Sequence, residues 1–289
     1  MLVDAMQLPE YNAARQKELS AEYPTQPLKG QVAMVTGANS GIGEGCLRHL
    51  AAAGATAVIN YVANPPAAQQ IADDIVAAGG VATIVQADVS NEQQVMAMFD
   101  QIRKDHGRLD ILVANAGLQR DAFIADMTVD QWELVMNVNV KGQFLCAREA
   151  VKQFRTQSMP TTSRAIGKII CMSSVHQMIP WAKHVNYAAS KGAVMLFTQS
   201  LAQEVSKERI RVNAIAPGAI ATPINRPAWE TPEAEAKLLE LIPYNRVGIP
   251  DDIGRASVWL SSDASDYVVG TTLFVDGAMC TFESFSTGG

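Results

Sequence analysis

From residue 31 the chain alternates short, continuous apolar runs with longer segments whose apolar residues recur at helical spacing. "QVAMVTG" is an apolar run ending in glycine, and "GIGEGCLRHLAAAGA" follows with helical spacing and stops at Gly54. "TAVINY" reads as a second buried strand. "PPAAQQIADDIVAAGG" opens with prolines, which helix N-termini tolerate, and ends in glycines, which stop helices. The rhythm continues through strand "VATIVQADV", amphipathic helix "NEQQVMAMFDQIRKDHG" and strand "LDILVANAG". A helical stretch over 128–157 is interrupted near Asn139. Strand "GKIICMSS", a long helix over 186–206, strand "RIRVNAIAPG", a helix over 250–262 and a last strand "TTLFVDG" complete the pattern.

Strands alternating with helices predict a parallel sheet with helices on both faces, an α/β domain. Continuously apolar strands such as "ILVANA" fit burial on both sides. No Gly-, Ser- or Pro-rich linker divides the region from 31 to 280, so residues 29–289 read as one domain. Residues 1–28 are polar and precede the first strand; they read as an N-terminal arm. In such a sheet, ligands bind beyond the carboxyl ends of the strands, so the loops after each strand are the place to look for chemistry.

Composition narrows the function classes. The 289 residues are 48% apolar and 18% charged, ordinary for a globular protein, and the net charge of −6 offers no basic footprint for nucleic acid. No apolar run approaches the length of a membrane span, and the N-terminus lacks the pattern of a secretory signal. Cys46, Cys146, Cys171 and Cys280 lie far apart without metal-like spacing. They read as reduced, packed thiols of a cytoplasmic protein, with no metal site expected.

The first strand runs into "TGANSGIG", with Gly37, Gly41 and Gly43. Glycines there allow a tight turn, and the helix that begins there offers free N–H groups and a positive dipole end to a phosphate. The spacing is GxxxGxG, not the commoner GxGxxG. At the end of the second strand an acid favours NAD and an arginine favours NADP. Here Tyr61 stands where the acid is expected and Val62 where a basic residue often lies, so NAD and NADP both stay open. Asp88 and Val89 end the third strand, where an adenine could lie; Asn115, Ala116 and Gly117 end the fourth.

The stretch "NYAASKG" places Tyr187 one helical turn before Lys191, on one face and within reach. A nearby ammonium should lower the phenol from its usual value near 10 and make it a usable acid or base. Ser174, in "CMSSVH", ends the preceding strand and could hold a substrate oxygen beside the phenol.

Taken together, "TGANSGIG", "NAG", "NVNVKG", "SSVHQMIPWAKHVNYAASK" and "APGAIATPIN" resemble the short-chain dehydrogenase/reductase family over roughly residues 29–285. Within it the chain looks most similar to glucose 1-dehydrogenases, through "SSVH", "IPW", "PGAIATPIN", "YVVGTTLFVDGAM" and a terminal "SF". The resemblance implies a Rossmann-type doubly wound domain with a mostly parallel seven-stranded sheet. It implies hydride exchange between NAD(P) and a secondary alcohol or carbonyl. Tyr187 would be the acid/base, Lys191 would tune it and hold the nicotinamide ribose, Ser174 would orient the reacting oxygen, and Asn139 would hold a water leading to Lys191. Gly37, Asn39, Ser40, Gly41, Ile42, Gly43, Tyr61, Asp88, Val89, Asn115, Ala116 and Gly117 would line the cofactor. Pro217, Gly218, Ile220 and Thr222 would surround its nicotinamide end.

For the substrate the resemblance points to Ser174, Tyr187, His176 and Gln119. Glucose dehydrogenases carry an acid where Gln119 stands, and Gln119 is neutral. Residues 223–245, rich in Pro and Glu with apolar residues at helical spacing, read as a lid. The family's members imply a homotetramer built partly on the long helix, which is apolar around much of its circumference. Two other readings stay open: a ketone or 3-oxoacyl reductase, and a cofactor-binding regulator without chemistry.

Overall fold

The computed structural model describes residues 10–281. Its elements run α1 (Ala13–Glu22), β1 (Val32–Val35), α2 (Gly41–Ala52), β2 (Thr56–Tyr61), α3 (Pro65–Ala77), β3 (Ala82–Gln86), α4 (Glu92–His106), β4 (Ile111–Ala114), α5 (Val129–Met136), α6 (Gly142–Arg155), β5 (Gly167–Met172), α7 (Val185–Val205), β6 (Ile210–Pro217), α8 (Pro232–Leu239), α9 (Pro250–Ser261) and β7 (Thr272–Val275). The seven strands form one sheet in the order β3-β2-β1-β4-β5-β6-β7, and every pairing is parallel. The order reverses between β1 and β4, which opens a crevice beyond their carboxyl ends.

Alternate side chains of each strand feed opposite layers, which is why the strands are apolar throughout. Ala33, Val35, Ala57 and Ile59 meet Leu47, Leu50 and Ile71 in one core. Val32, Met34 and Val58 meet Val95, Phe99, Leu145 and Phe154 in the other. Against the first layer, α2 and α9 approach so closely that a side chain at Gly45 would lie 2.6 Å from Pro250.

Two helix boundaries show their causes in the sequence. Asn91 caps α4 by accepting from the Gln94 N–H, and Gly107 ends it in the left-handed conformation. Thr128 caps α5 through a reciprocal bond with Gln131. The interruption expected near Asn139 is a π-helical turn over Asn137–Lys141 that links α5 to α6.

The described part of the arm packs on the body of the same chain. Tyr11 and Arg15 both reach Asp251, at the start of α9, with the Arg15 pair at 2.6 Å. Gln16 donates to the Arg48 carbonyl at 2.9 Å, and Tyr23 meets His49 at 2.8 Å. Glu22 pairs with Arg255 at 3.1 Å. Residues 1–9 of the arm and the terminal "SF" lie outside the described residues. Among the described residues no helix is long and apolar enough to cross a membrane.

Candidate active site

A cleft of about 510 Å³ opens along the carboxyl ends of the strands. The loop after β1 forms one wall. Gly37 and Gly41 take positive φ, at 60° and 56°, and α2 begins directly after Ser40. A side chain at Gly43 would overlap the Gly37 carbonyl and lie 2.6 Å from Asn115 Nδ2. The turn is therefore a bare-backbone cradle that leads into a helix N-terminus, the geometry that receives a diphosphate. Thr36 fixes it to β4: its hydroxyl accepts from the N–H groups of Asn115 and Ala116, both at 2.9 Å. Asn115 Nδ2 donates to the Thr36 carbonyl at 2.9 Å.

At the far end, Ser174, Tyr187 and Lys191 converge. Ser174 lies two residues beyond β5 in extended conformation and caps a short 3-10 turn by accepting from the His176 N–H. Tyr187 stands on the first turn of α7, and it lines the cleft together with Ser174 and Gln119, whose side chains act on its phenol. Lys191 is buried; its Nζ donates to the Met172 carbonyl at 2.9 Å and sits 5.4 Å from the Tyr187 ring centre.

The electrostatics differ from the simple expectation. Burial pushes the Tyr187 phenol up, and the nearby Ser174 and Gln119 side chains only partly offset this. Burial also pushes the Lys191 amine down, to about 8. A low-dielectric pocket disfavours both charged forms, so the lowering of Tyr187 by its neighbour does not dominate here. The pair is poised in the sense that two groups of ordinarily high value are drawn toward their neutral forms, side by side in one buried site.

The cleft gathers most of the residues that the sequence singles out. Gly37, Asn39, Ser40, Gly41, Ile42 and Gly43 line it, as do Asp88, Val89, Asn115, Ala116 and Gly117. So do Gln119, Ser174, Tyr187, Lys191, Pro217, Gly218, Ile220 and Thr222. Three do not. Tyr61 is a correction: it is buried in the core against α3, because strand alternation turns it away and sends Asn60 and Val62 to the cleft. His176 lies beside the cleft, not on its lining: its ring stacks on Trp181, bonds the Ile179 carbonyl and stands 6.2 Å from the Tyr187 ring. Asn139 stands behind the wall, fully buried, with its amide committed to Leu118 N–H at 2.8 Å, Leu118 O at 3.0 Å and Ser190 Oγ at 3.0 Å.

Sequence reasoning missed Asn60, which accepts from the Gly37 N–H at 3.3 Å and donates to the Ala87 carbonyl at 3.1 Å. A lone amide inside the apolar run "TAVINY" was its signal. It also missed Trp181 and His184, whose rings stack with centroids 3.5 Å apart.

Comparison with known proteins decides the family. A family model described as enoyl-(acyl carrier protein) reductase matches residues 37–279. The chain belongs to the short-chain dehydrogenase/reductase family. Among curated members it is 42% identical over 261 residues to 3β-hydroxysteroid dehydrogenase 1 of Eggerthella lenta, covering 90% of this chain and 98% of that protein. It is 37% identical over 258 residues to glucose 1-dehydrogenase 2 of Bacillus subtilis, covering 89% and 97%. A solved gluconate 5-dehydrogenase from Burkholderia cenocepacia, in complex with NADP and tartrate, superposes with a TM-score of 0.81 at 34% identity, covering 88% of this chain and 97% of that one. The likeness thus extends to members with different named substrates. As a short-chain dehydrogenase/reductase, the protein is an NAD(P)-dependent oxidoreductase that exchanges a hydride with an alcohol or carbonyl compound. The cradle, the α2 N-terminus and the length of the cleft suit NAD or NADP, which supplies the hydride acceptor or donor when bound.

Proposed function

We propose that this enzyme interconverts a secondary alcohol and its carbonyl compound with NAD as the preferred cofactor. Tyr187 serves as the acid/base, Ser174 holds the reacting oxygen and Lys191 assists the phenol. The observation that carries this is the convergence of Ser174, Tyr187 and Lys191 at one end of a cleft that begins at a phosphate cradle. In the oxidative direction the Tyr187 phenolate accepts the substrate hydroxyl's proton while Ser174 keeps that oxygen in place. Lys191, lying against the ring, steadies the phenolate as it forms. Asn139 positions rather than reacts: it ties the loop after β4 to α7.

The preference for NAD rests on charge. Among the described residues, Asp88 and Lys191 are the only charged side chains lining the cleft, and Lys191 belongs to the reactive end. A 2′-phosphate at the end of β2 would meet Val62 and Asn39 and no cation. Comparing kcat/KM for NAD⁺ and NADP⁺ tests this, with Val62→Arg expected to shift the ratio toward NADP⁺. A wild-type preference for NADP⁺ would overturn it.

Sugar oxidation of the glucose 1-dehydrogenase kind is a second reading, favoured by the 37% identity to such an enzyme. Neutral Gln119 weighs against it. Turnover of D-glucose at rates above those of simple secondary alcohols would establish it. We also read the protein as a cytoplasmic homotetramer. Its four cysteines are free thiols, as a reducing compartment keeps them, and Phe144 on α6 and Leu196 on α7 leave large apolar surfaces open. Light scattering on the purified protein tests the assembly.

Residues 223–245 suit a lid. They comprise a 3-10 segment (Pro223–Ala228) and α8, gathered around Trp229 and Ile242, and Pro223, Ile224 and Asn225 reach the cleft.

A further inference from the structure

The loop after β6 bends back over the cleft. β6 lies three strand positions from β1, yet Thr222 meets the turn after β1: a side chain at Gly41 would lie 3.4 Å from the Thr222 Cβ and methyl group. The loop therefore spans the stretch between the diphosphate cradle and the Ser174–Tyr187 end, and Gly218, Ile220, Thr222 and Asn225 line the cleft there. A nicotinamide ring reaching from the cradle toward Tyr187 lies against this span. The ring's one polar substituent is a carboxamide, which needs hydrogen-bond partners once it is covered.

One side chain organises the span. Asn225 Nδ2 donates to the Ile220 carbonyl at 2.9 Å. Its Oδ1 accepts from the Thr222 N–H at 2.9 Å, from the Thr222 hydroxyl at 2.9 Å and from Trp229 Nε1–H at 3.1 Å. Trp229 is buried against Ala221, Ile242 and Val247, which holds this anchor from behind. The amide can stand only this way round. Turned over, it would set its amino group against the Thr222 and Trp229 N–H donors and its oxygen against the Ile220 carbonyl. Oδ1 is therefore fixed as an acceptor, and the bond at 2.9 Å requires the Thr222 hydroxyl to supply its proton. What remains on Thr222 Oγ1 is two lone pairs and no hydrogen. Such an oxygen suits the amino group of a carboxamide and opposes a carboxylate oxygen. Thr222 is buried, so bulk water does not screen that difference.

We propose that Asn225 is a positioning residue that fixes the polarity of the Thr222 hydroxyl. Through it the site selects a dinucleotide whose pyridine ring carries a carboxamide over one whose ring carries a carboxylate. A site built to accept an N–H rejects the analogue that lacks it, because a buried polar group is then left unpaired. The inference deepens the reading of the protein as an NAD-dependent enzyme and rests on it.

The test measures calorimetric Kd values of the intact protein for NAD⁺ and for nicotinic acid adenine dinucleotide, which carries a carboxylate in place of the carboxamide. Wild type should bind NAD⁺ more tightly by at least about tenfold, the scale of one hydrogen bond to a buried group. Asn225→Ala frees the hydroxyl to turn and donate, so the ratio of the two Kd values should fall to within about threefold. Thr222→Val should weaken NAD⁺ about tenfold and leave the carboxylate analogue nearly unchanged. The double variant should show the same ratio as Thr222→Val alone, because without the hydroxyl Asn225 has nothing to orient. Equal Kd values in wild type overturn the proposal. So does an Asn225→Ala protein in which both Kd values weaken together and the ratio stays, which marks a purely structural role. If circular dichroism shows Asn225→Ala unfolded, Thr222→Val decides, and an unchanged ratio there overturns the proposal. A wild-type protein that binds neither dinucleotide overturns the cofactor reading itself, and this inference with it.

Discussion

Replacing Gly43 with alanine puts one methyl group into the tightest contact of the glycine-rich turn. The added carbon would overlap the Gly37 carbonyl oxygen and stand 2.6 Å from Asn115 Nδ2. An unstrained carbon–oxygen contact is about 3.3–3.6 Å, so α2 or the turn must move by a substantial fraction of an ångström. The methyl would also intrude on the bond from Asn115 Nδ2 to the Gly37 carbonyl, 3.3 Å long. Overpacking of this kind costs about 1–3 kcal/mol. The strained atoms are the cradle itself, so much of the cost should fall on cofactor affinity, at roughly tenfold in Kd per 1.4 kcal/mol. The expected outcome is a Kd for NADH weakened by about 5- to 150-fold, read by calorimetry, with far-ultraviolet circular dichroism unchanged. An unchanged Kd in a folded protein would refute the reasoning: the turn would then be either free to relax or not the place where the diphosphate sits.

Three other outcomes are expected. Tyr187→Phe should lower kcat about 10²- to 10⁴-fold while leaving NADH affinity within a few-fold in calorimetry; retained turnover would remove Tyr187 from the chemistry. Asn139→Ala removes the acceptor of the half-buried Leu118 N–H and one of the two bonds of the Ser190 hydroxyl, which keeps the Tyr187 carbonyl, and should cost about 1–3 kcal/mol in urea unfolding, with no loss arguing that the π-helical turn holds itself. For Asp251, burial pushes the carboxyl up, but nearby His49 and hydrogen bonds from Tyr11 and Arg15 outweigh it and hold the group well below the usual carboxylate range. Its stabilisation is therefore full above the unfolded value of about 4 and is lost as pH falls below it. Asp251→Asn should cost up to about 3–5 kcal/mol near neutrality, and its gap from wild type should narrow progressively as pH falls below about 4 toward the depressed folded-state value; a gap that does not narrow below about pH 4 would deny the ion-pair account.

The fold was legible because burial on two sides writes itself locally. Runs such as "AMV" and "AVIN" are apolar at consecutive positions, and caps such as Asn91 and Thr128 mark helix starts one residue ahead. The proposed acid/base pair was legible for the same reason: Tyr187 and Lys191 share one helix, so their proximity is a matter of spacing. The misreadings fall where orientation, not position, matters. Tyr61 stands at the right strand end but on the wrong side of the pleat, and a one-residue difference of face sends Asn60 and Val62 to the cleft in its place.

By itself, then, the sequence determined the doubly wound order of elements, the glycine cradle and the Ser174–Tyr187–Lys191 set, because each is encoded by periodicity or by short-range spacing. Only the tertiary structure decided the environment of that set. Burial raises the Tyr187 phenol and lowers the Lys191 amine, Gln119 comes to the same cleft from another loop, and the rings of His176, Trp181 and His184 stack on one another. These depend on desolvation and on contacts between segments distant in the chain, which no local pattern records.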